Sequence, residues 1–150
     1  MRALIQRVTK ASLSVNDTLI DQIGAGLVIY LGVESDDLEE DIGYLIKKCS
    51  QLRIFNDADN KMNASIMEVH GDFMVISQFT LHAKTKKGNR PSFIRAANPH
   101  YAFEMYENFK NALKQYCGLK VASGVFGAHM HIEQWNDGPV SIWLDSKNRE

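Results

Sequence analysis

The chain has 150 residues, of which 45% are hydrophobic and 23% are charged. This length fits one domain, and the composition excludes a disordered, collagen-like or coiled-coil protein. With 17 Lys and Arg against 18 Asp and Glu, the net charge is −1. A nucleic-acid binder that is basic over its whole surface is therefore excluded, while a local basic patch is not.

Cysteine content and apolar runs favour a cytoplasmic protein. Cys49 and Cys117 lack a CxxC partner and are too few for a disulfide framework, so we predict that both are buried. Gln6 and Arg7 interrupt the first apolar residues before a signal peptide could form. The longest apolar run, residues 24–33, is too short to span a membrane, and we expect no membrane partner.

The first third of the chain predicts strands. Residues 3–8 form a short apolar run, and residues 11–15 alternate apolar and polar side chains as a half-buried strand does. A turn is predicted at residues 16–17. Residues 26–31 are almost entirely apolar, which indicates a strand buried on both faces.

Two helices are predicted further along. Ser35 is a favourable N-cap for the first helix, whose apolar stripe covers residues 38–49. The second helix is delimited by Asn98 as N-cap, Pro99 at the first helical position and Gly118 just past the end.

The remaining segments decide the fold class. Short strands are predicted at residues 52–55 and 73–76, a loop at residues 82–97, and three strands within residues 119–144. Strands thus occur in runs instead of alternating with helices, which favours an α+β fold over a Rossmann-type fold. We predict a single domain over residues 1–150, with a curved, barrel-like sheet flanked by two main helices.

A basic segment follows the strand predicted at residues 73–76. No acid occurs between Asp72 and Glu104. The basic side chains of this interval are Lys84, Lys86, Lys87, Arg90 and Arg95. A basic loop beside the end of a buried strand suits contacts with RNA phosphates. The alternative is a solvated loop whose charges only aid solubility.

A polar sequence follows the same strand directly. Ser77, Gln78, Phe79 and Thr80 offer two hydroxyls, one amide and several backbone N–H groups. Such groups could orient a water molecule or bind an oxyanion. No His or acid adjoins them in sequence, so a catalytic triad cannot be assigned. The alternative is a polar strand end without chemistry.

Two features nearer the C-terminal end carry less specific signals. Gly138-Pro139 belongs either to a plain tight turn or to a cis peptide whose carbonyl groups could bind an ammonium group. His129 and His131 would face one side of a strand, but no third ligand is evident. We therefore predict no metal site.

These residues together resemble a known family. Residues 77–81 (SQFTL) and 136–140 (NDGPV) resemble the paired signatures of the D-aminoacyl-tRNA deacylases. The stretches ALIQRV, RIF and RPSF are similar to that family too, and the likeness covers essentially the whole chain in order. Phe79 favours the D-aminoacyl group over a related deacylase subgroup. Ser141 departs from the family, which usually has Thr there.

The resemblance implies an enzyme without a cofactor that hydrolyses the ester between a D-amino acid and the 3′-terminal ribose of tRNA. Ser77, Gln78, Phe79 and Thr80 would form the reacting side, with backbone N–H groups near Phe79 and Thr80 binding the oxyanion. We expect Thr80 to assist an attacking water and not to act as nucleophile, because the sequence places no general base beside it.

The resemblance also implies a homodimer in which Gly138 and Pro139 of one subunit reach into the site of the other. Their peptide bond is then cis, their carbonyl groups receive the amino group of the substrate, and Arg7 holds the turn. An L side chain would clash with such a clamp. Glycine has no side chain to reject, so glycyl-tRNA is expected to be a second substrate.

Two rival classes stay open. One is a general ester or amide hydrolase that acts without RNA and uses Thr80 as nucleophile. The other is a non-catalytic RNA-binding module that uses the basic segment alone. The fold by itself cannot separate these classes.

Overall fold

One long strand, Arg2–Val15 (β1), organises the sheet. The computed structural model describes residues 1–149. The other strands are β2 (Thr18–Ile23), β3 (Gly26–Gly32), β4 (Phe55–Asn56), β5 (Met62–Ala64), β6 (Asp72–Ser77), β7 (Val121–Ser123) and β8 (His131–Asp145). The helices are α1 (Glu39–Gln51) and α2 (Pro99–Cys117), and a 3-10 helix covers Phe79–His82.

The strands form one mixed, strongly curved sheet and a small separate hairpin. β1 pairs antiparallel with β2 and β3 along one edge and with β8 along the other. β6 pairs in parallel with both β3 and β7. Because β2 also lies against β6 and β7, the sheet curls almost into a barrel. The predicted α+β fold, with a barrel-like sheet and two main helices, is confirmed.

Apolar side chains form two buried clusters, one on each face of the sheet. β3 and β6 contribute to both clusters alternately: Ile29 and Val75 pack with the helices, whereas Val28 and Met74 lie on the opposite face. This alternation follows from the period-two geometry of strands, and it explains why the sequences of both strands are continuous apolar runs. Cys49 and Cys117 are both buried, as predicted.

β1 and β8 are longer than the sequence predicts. We predicted two strands at residues 3–8 and 11–15, but β1 runs unbroken through Thr9 and Lys10. We predicted three strands after residue 119, but the structure has two, β7 and β8. The reason is a bulge: β1 passes from Gln6 to Val8 while β8 passes from Ser141 to Asn136, so residues 137–140 of β8 leave the ladder without ending the strand.

α1 begins later than predicted. Its N-cap is Leu38, not Ser35, which lies in a turn closed by Asp37 N–H and the Glu34 carbonyl oxygen. The buried Asp37 carboxylate accepts from the Glu34 backbone N–H at 2.7 Å, which keeps the chain out of helical geometry before Leu38. The Asp41 side chain then accepts from the Leu38 backbone N–H at 2.8 Å.

Of the other predicted elements, one helix is confirmed and one strand is wrong. α2 matches its prediction, since Asn98 accepts from the Tyr101 backbone N–H at 3.0 Å and Gly118 ends the helix with φ 66°. The prediction of a strand at residues 52–55 is wrong. The helix α1 extends to Gln51, and the strand that follows it, β4, begins only at Phe55. β2 was not predicted. Within residues 1–149, no helix has the length and apolar character that crossing a membrane requires.

Candidate active site

Ser77, Gln78, Phe79 and Thr80, here called the reacting segment, lie where β6 ends against β3. The backbone N–H of Gln78 donates to the Leu31 carbonyl oxygen at 2.8 Å, the last bond before the chain turns into the 3-10 helix. β6 is buried up to Ile76, whereas Phe79 is 56% exposed. The apolar strand thus anchors a polar segment that faces solvent.

The Thr80 hydroxyl is bonded to the neighbouring amide. Gln78 Nε2 donates to Thr80 Oγ1 at 2.5 Å, and this is the side-chain hydrogen bond of that hydroxyl within the described chain. No carboxylate or imidazole of residues 1–149 forms a hydrogen bond with it. Because an amide donor does not accept a proton, the hydroxyl has no base of the kind that activates a nucleophile.

An apolar cavity of about 650 Å³ opens beside the reacting segment. Its polar rim includes Ser77 and Gln78, and its aromatic walls include Phe93, Tyr106 and Phe126. Phe79 meets Phe93 edge-on with ring centroids 4.9 Å apart. A concave, mainly apolar space with a few polar groups at one side is the usual form of a small-molecule site.

The side chains of Arg2, His82 and Glu34 hold the 3-10 helix against the sheet. Arg2 Nη1 donates to the Leu81 carbonyl oxygen at 3.0 Å. His82, at the helix end, is fully buried, and its Nδ1 lies 3.4 Å from Glu34 Oε1. Burial lowers the pKa of His82 below its usual value, against the opposing effects of the Gly32 backbone and Glu34. None of these side chains was predicted as a site residue.

Gly32 leaves room for this arrangement. A Cβ at position 32 would lie 2.9 Å from His82 Nε2 and 3.0 Å from the Gln78 carbonyl oxygen. Both distances are shorter than ordinary contacts of a methyl group. The only sign of this close packing in the sequence is the glycine at position 32, and a glycine alone does not show which groups lie against it.

Gly138-Pro139 lies in the bulge of β8, and its peptide bond is cis as predicted. The buried Arg7 side chain holds this bulge: Nε is 3.2 Å from the Asp137 carbonyl oxygen and 3.1 Å from Asp137 Oδ2. Arg7 Nη1 also donates to the Ile54 carbonyl oxygen at 2.5 Å. Arg7 therefore bridges the bulge and the segment after α1.

Ser141 keeps a hydrogen bond beside the bulge. Gln6 Nε2 donates to Ser141 Oγ at 3.1 Å, in the register pair that closes the ladder on that side. A threonine would present the same hydroxyl, so the departure from the family pattern preserves this bond.

Within one chain, the two parts of the predicted site do not meet. Arg2 contacts the 3-10 helix next to the reacting segment, whereas Arg7 contacts the Gly138-Pro139 bulge. The five residue steps from Arg2 to Arg7 along β1 span about 17 Å at about 3.4 Å per residue. One chain thus brings Ser77, Gln78 and Phe79 together at the cavity, with Thr80 bonded to Gln78, and leaves Gly138 and Pro139 elsewhere on the surface.

The basic segment, residues 84–95, is a hairpin-like excursion. Its two arms are joined by reciprocal backbone hydrogen bonds between Lys84 and Ser92. Its exposed cations are Lys84, Lys86, Lys87, Arg90 and Arg95. Arg95 differs from the others, because its Nε lies 2.6 Å from Glu34 Oε1 inside the protein.

One acidic group of the described residues has the spacing of metal ligands: Glu34, Asp36 and Asp37. These carboxylates already face cations of the protein. Asp37 pairs with the N-terminal ammonium group, and Lys147 Nζ lies 2.9 Å from Asp36 Oδ2. The site chemistry described above uses none of them as a ligand set.

Comparison with known proteins identifies the family. A family model described as D-Tyr-tRNA(Tyr) deacylase matches residues 4–145. The chain is 51% identical, over the full length of both chains, to proteins of Flavobacterium johnsoniae and Akkermansia muciniphila that are named D-aminoacyl-tRNA deacylase.

Solved structures agree in architecture. The chain is similar to a c-Myc DNA unwinding element binding protein, with 35% identity and a TM-score of 0.92 over 97% of this chain and 98% of that one. A protein described as a probable eukaryotic D-amino acid tRNA deacylase shares the fold at 18% identity, with a TM-score of 0.85 over 95% and 97% of the two chains. The chain therefore belongs to the D-Tyr-tRNA(Tyr) deacylase family, and it is an enzyme of the ester hydrolase class.

Proposed function

We propose that the protein hydrolyses the ester of D-aminoacyl-tRNA, and that of glycyl-tRNA, at the mouth of the apolar cavity. The observation that carries this proposal is the reacting segment itself: a polar array without a general base, fixed on a buried strand beside an aromatic-lined cavity. This arrangement suits stabilisation of an oxyanion better than nucleophilic attack by the protein.

The cavity accounts for the nucleoside end of the substrate. The ester joins the amino acid to the terminal ribose, so the base of the same nucleoside lies within a few ångströms of the reacting carbonyl. Aromatic and apolar walls accept a planar base by stacking. With Phe93 and Phe126 around the base, the ester lies next to Gln78 and Phe79.

The reaction proceeds by addition of water to the ester carbonyl. The first N–H groups of a helix have no partner within it, and in the 3-10 helix these belong to Phe79 and Thr80. They receive the oxyanion of the tetrahedral intermediate. The carbon–oxygen bond to the ribose then breaks, the ribose oxygen takes the proton lost by the water, and the free amino acid and tRNA leave.

Selection against L substrates requires a second chain in this proposal. Gly138 and Pro139 are exposed and about 17 Å along β1 from the contacts of the reacting segment, so a copy of the protein supplies them. Their carbonyl groups receive the α-ammonium group, and an L side chain collides with this clamp while a D side chain or a hydrogen does not.

The outer edge of β8 supports pairing of two copies. Among the described strands, β8 is paired with β1 alone, which leaves 15 residues with an open edge. Trp135 and Trp143 on this strand are 52% and 48% exposed. Long open edges with large apolar side chains are usually covered in the assembled state. Since aminoacyl-tRNA is made and used in the cytoplasm, we place the homodimer there.

The direct test is deacylation of D-tyrosyl-tRNA and L-tyrosyl-tRNA, with a chelator present. We expect the D ester and glycyl-tRNA to be lost while the L ester survives. Equal loss of both tyrosyl esters would exclude the Gly138-Pro139 clamp as the selector. Binding of tRNA with survival of every ester would support the RNA-binding module, and turnover of an amino-acid ester without RNA would support the general hydrolase.

A further inference from the structure

A chain of three polar side chains connects the basic segment with the reacting segment. Arg95 Nε lies 2.6 Å from Glu34 Oε1, and the same oxygen lies 3.4 Å from His82 Nδ1. Arg95 is 45% exposed at its side chain, Glu34 only 5%, and His82 not at all. One buried carboxylate oxygen is therefore shared by a surface cation and a buried imidazole.

These contacts are electrostatic and leave hydrogen-bonding capacity unused. Glu34 Oε1, His82 Nδ1 and His82 Nε2 are buried and have no partner with hydrogen-bond geometry within residues 1–149. Burying such groups costs free energy that apolar side chains of similar volume would avoid. Their retention in the protein favours a role beyond packing.

The two outer members of this series of side chains, His82 and Arg95, lie at the reacting segment and at the basic segment. His82 is the last residue of the 3-10 helix that carries Phe79 and Thr80. Glu34 also forms a backbone bridge with Ala96, the residue that follows Arg95. A movement of the Glu34 side chain therefore acts on the reacting segment at one end and on the basic segment at the other.

We propose that Glu34 is a positioning residue that couples RNA phosphate at Arg95 to the reacting segment through His82. This inference rests on the proposed contact of the basic segment with tRNA. A phosphate that pairs with Arg95 draws the guanidinium group away from the carboxylate. Glu34 then interacts with His82 alone, and this pulls the end of the 3-10 helix toward the sheet.

The direction of the electrical effect is fixed by the charges around His82. Glu34 attracts a proton on the imidazole, whereas Arg2 of β1 and the N-terminal ammonium group repel it. The Arg95 guanidinium lies against the same Glu34 oxygen, so by Coulomb's law its positive charge also opposes a proton on His82. Neutralising Arg95 removes one repulsion and frees the attraction, so His82 gains proton affinity when RNA binds. Energy from the RNA contact is thereby used at the ester, where it raises kcat.

The test is an NMR titration of the His82 imidazole in the whole protein, with and without uncharged tRNA. In the wild type, the titration midpoint should move to higher pH by about half a pH unit when tRNA is added. In Arg95→Gln the midpoint should be higher already without tRNA and should not move further. An unmoved midpoint in the wild type, or a failure of tRNA to bind, overturns the proposal.

Kinetics supply the second readout. Glu34→Gln keeps the side-chain shape and should lower kcat for D-aminoacyl-tRNA about tenfold with KM changed less than about twofold. Glu104→Gln is the matched control, because it removes the same charge from an exposed pair with His100. An effect of Glu34→Gln on KM alone would reduce Glu34 to an RNA-binding role. If Glu34→Gln does not fold, the surface variant Arg95→Gln decides the matter by its titration.

Failure of the proposed function is distinguishable from failure of this inference. The titration uses uncharged tRNA and does not depend on hydrolysis. A protein whose His82 responds to tRNA but which leaves every D ester intact contradicts the function and keeps the coupling.

Discussion

At the scale of single residues, the site depends on what surrounds each polar group more than on its type. The Thr80 hydroxyl accepts the Gln78 amide, and the Arg7 guanidinium is enclosed among backbone carbonyl groups. The first bond gives the Thr80 hydroxyl an amide donor as its partner and not a base that could activate it as a nucleophile. The second turns a strongly basic side chain into a brace for the exposed bulge.

Thr80→Ala should lower kcat about tenfold and leave the enzyme measurably active, because in the proposed mechanism the hydroxyl orients water and is not the attacking group. Thr80→Ser, which keeps the hydroxyl, is the control and should remain near the wild-type rate. Rapid-quench kinetics with mass spectrometry of the protein would check both variants. Trapping of an acyl-enzyme in the wild type, with complete loss of turnover in Thr80→Ala, contradicts the water mechanism.

His82 should make the protein less stable in mild acid. Burial lowers the pKa of His82 from 6.5, so the unfolded chain binds a proton at a higher pH than the folded chain does. The stabilisation is thus full above about pH 6.5 and is lost as the pH falls below it. Denaturant unfolding at pH 7 and pH 5 should show this loss in the wild type and a smaller loss in His82→Gln. His100→Gln, which removes an exposed imidazole, is the control.

At the scale of elements, the sequence predicted the helix and strand bounds that depend on interactions between residues close together in the sequence. The cap and stop residues of α2 predicted its bounds, because Asn98 and Gly118 act within one turn. The predicted start of α1 was wrong, since Asp37 is held outside the helix both by the nearby Glu34 backbone N–H and by the N-terminal ammonium group, which is distant in sequence. The continuity of β8 through Gly138-Pro139 depends on β1, which periodicity within β8 does not report.

The same division holds for the candidate site. Ser77, Gln78, Phe79 and Thr80 were predicted as site residues from the family resemblance, since their place after an apolar strand left a polar strand end as the alternative. The structure puts the first three of them at a cavity. Glu34 lies more than forty residues away in sequence and was missed, because its meaning comes from packing against His82. Contacts between distant segments are the part of a site that a single sequence does not display.

Gly32→Ala should reduce activity about 100-fold while the protein stays folded. The added methyl group would lie 2.9 Å from His82 Nε2 and 3.0 Å from the Gln78 carbonyl oxygen, so the reacting segment must shift. A shift of about 1 Å at a catalytic group can cost a factor of about 100. Gly43→Ala is the matched control, because a Cβ there meets nothing within 4 Å.

The control variant sharpens the result. Gly43 lies within α1, so alanine should stabilise the protein by about 0.5–1 kcal/mol and leave kcat unchanged. Thermal unfolding and steady-state deacylation of both variants would check the pair. Equal activity of Gly32→Ala and Gly43→Ala contradicts the packing argument.

At the scale of the whole molecule, the charge is balanced overall but unevenly distributed. The net charge is −1, yet the basic segment carries five cations without an acid. Together with the open edge of β8, this leaves one face suited to phosphate groups and another suited to a second copy of the chain.

Removing the basic segment's charge should weaken tRNA binding and flatten its salt dependence. We expect Lys84→Gln, Lys86→Gln and Lys87→Gln together to lower the slope of log K against log salt by about 0.7–0.9 for each phosphate that the protein no longer neutralises. The control changes Lys47 and Lys48 of α1 to Gln, which are exposed on another element. Filter binding at several salt concentrations gives both slopes, and equal slopes argue against this surface.

Two inactive variants should restore activity when mixed. Gln78→Ala damages the reacting side, and Gly138→Leu places a side chain where φ is 122° and beside Arg7. In a homodimer with shared sites, random pairing gives intact partners in about a quarter of the sites. Unfolding and refolding the mixture, followed by the D-tyrosyl-tRNA assay, would check this. No recovery, with each variant dimeric by ultracentrifugation, means that each chain builds its own site.

The pairing of β1 with β8 also affects how the protein folds during its synthesis. Of the described strands, β1 leaves the ribosome before all the others and β8 after them, and their register joins Arg2 to Asp145. At ordinary translation rates, β1 waits on the order of ten seconds for its neighbour, with one edge open to other nascent chains. Pairing of β8 covers the open edge of β1 and completes the Gly138-Pro139 bulge in the same event, so a truncated translation product lacks the bulge and keeps that edge exposed.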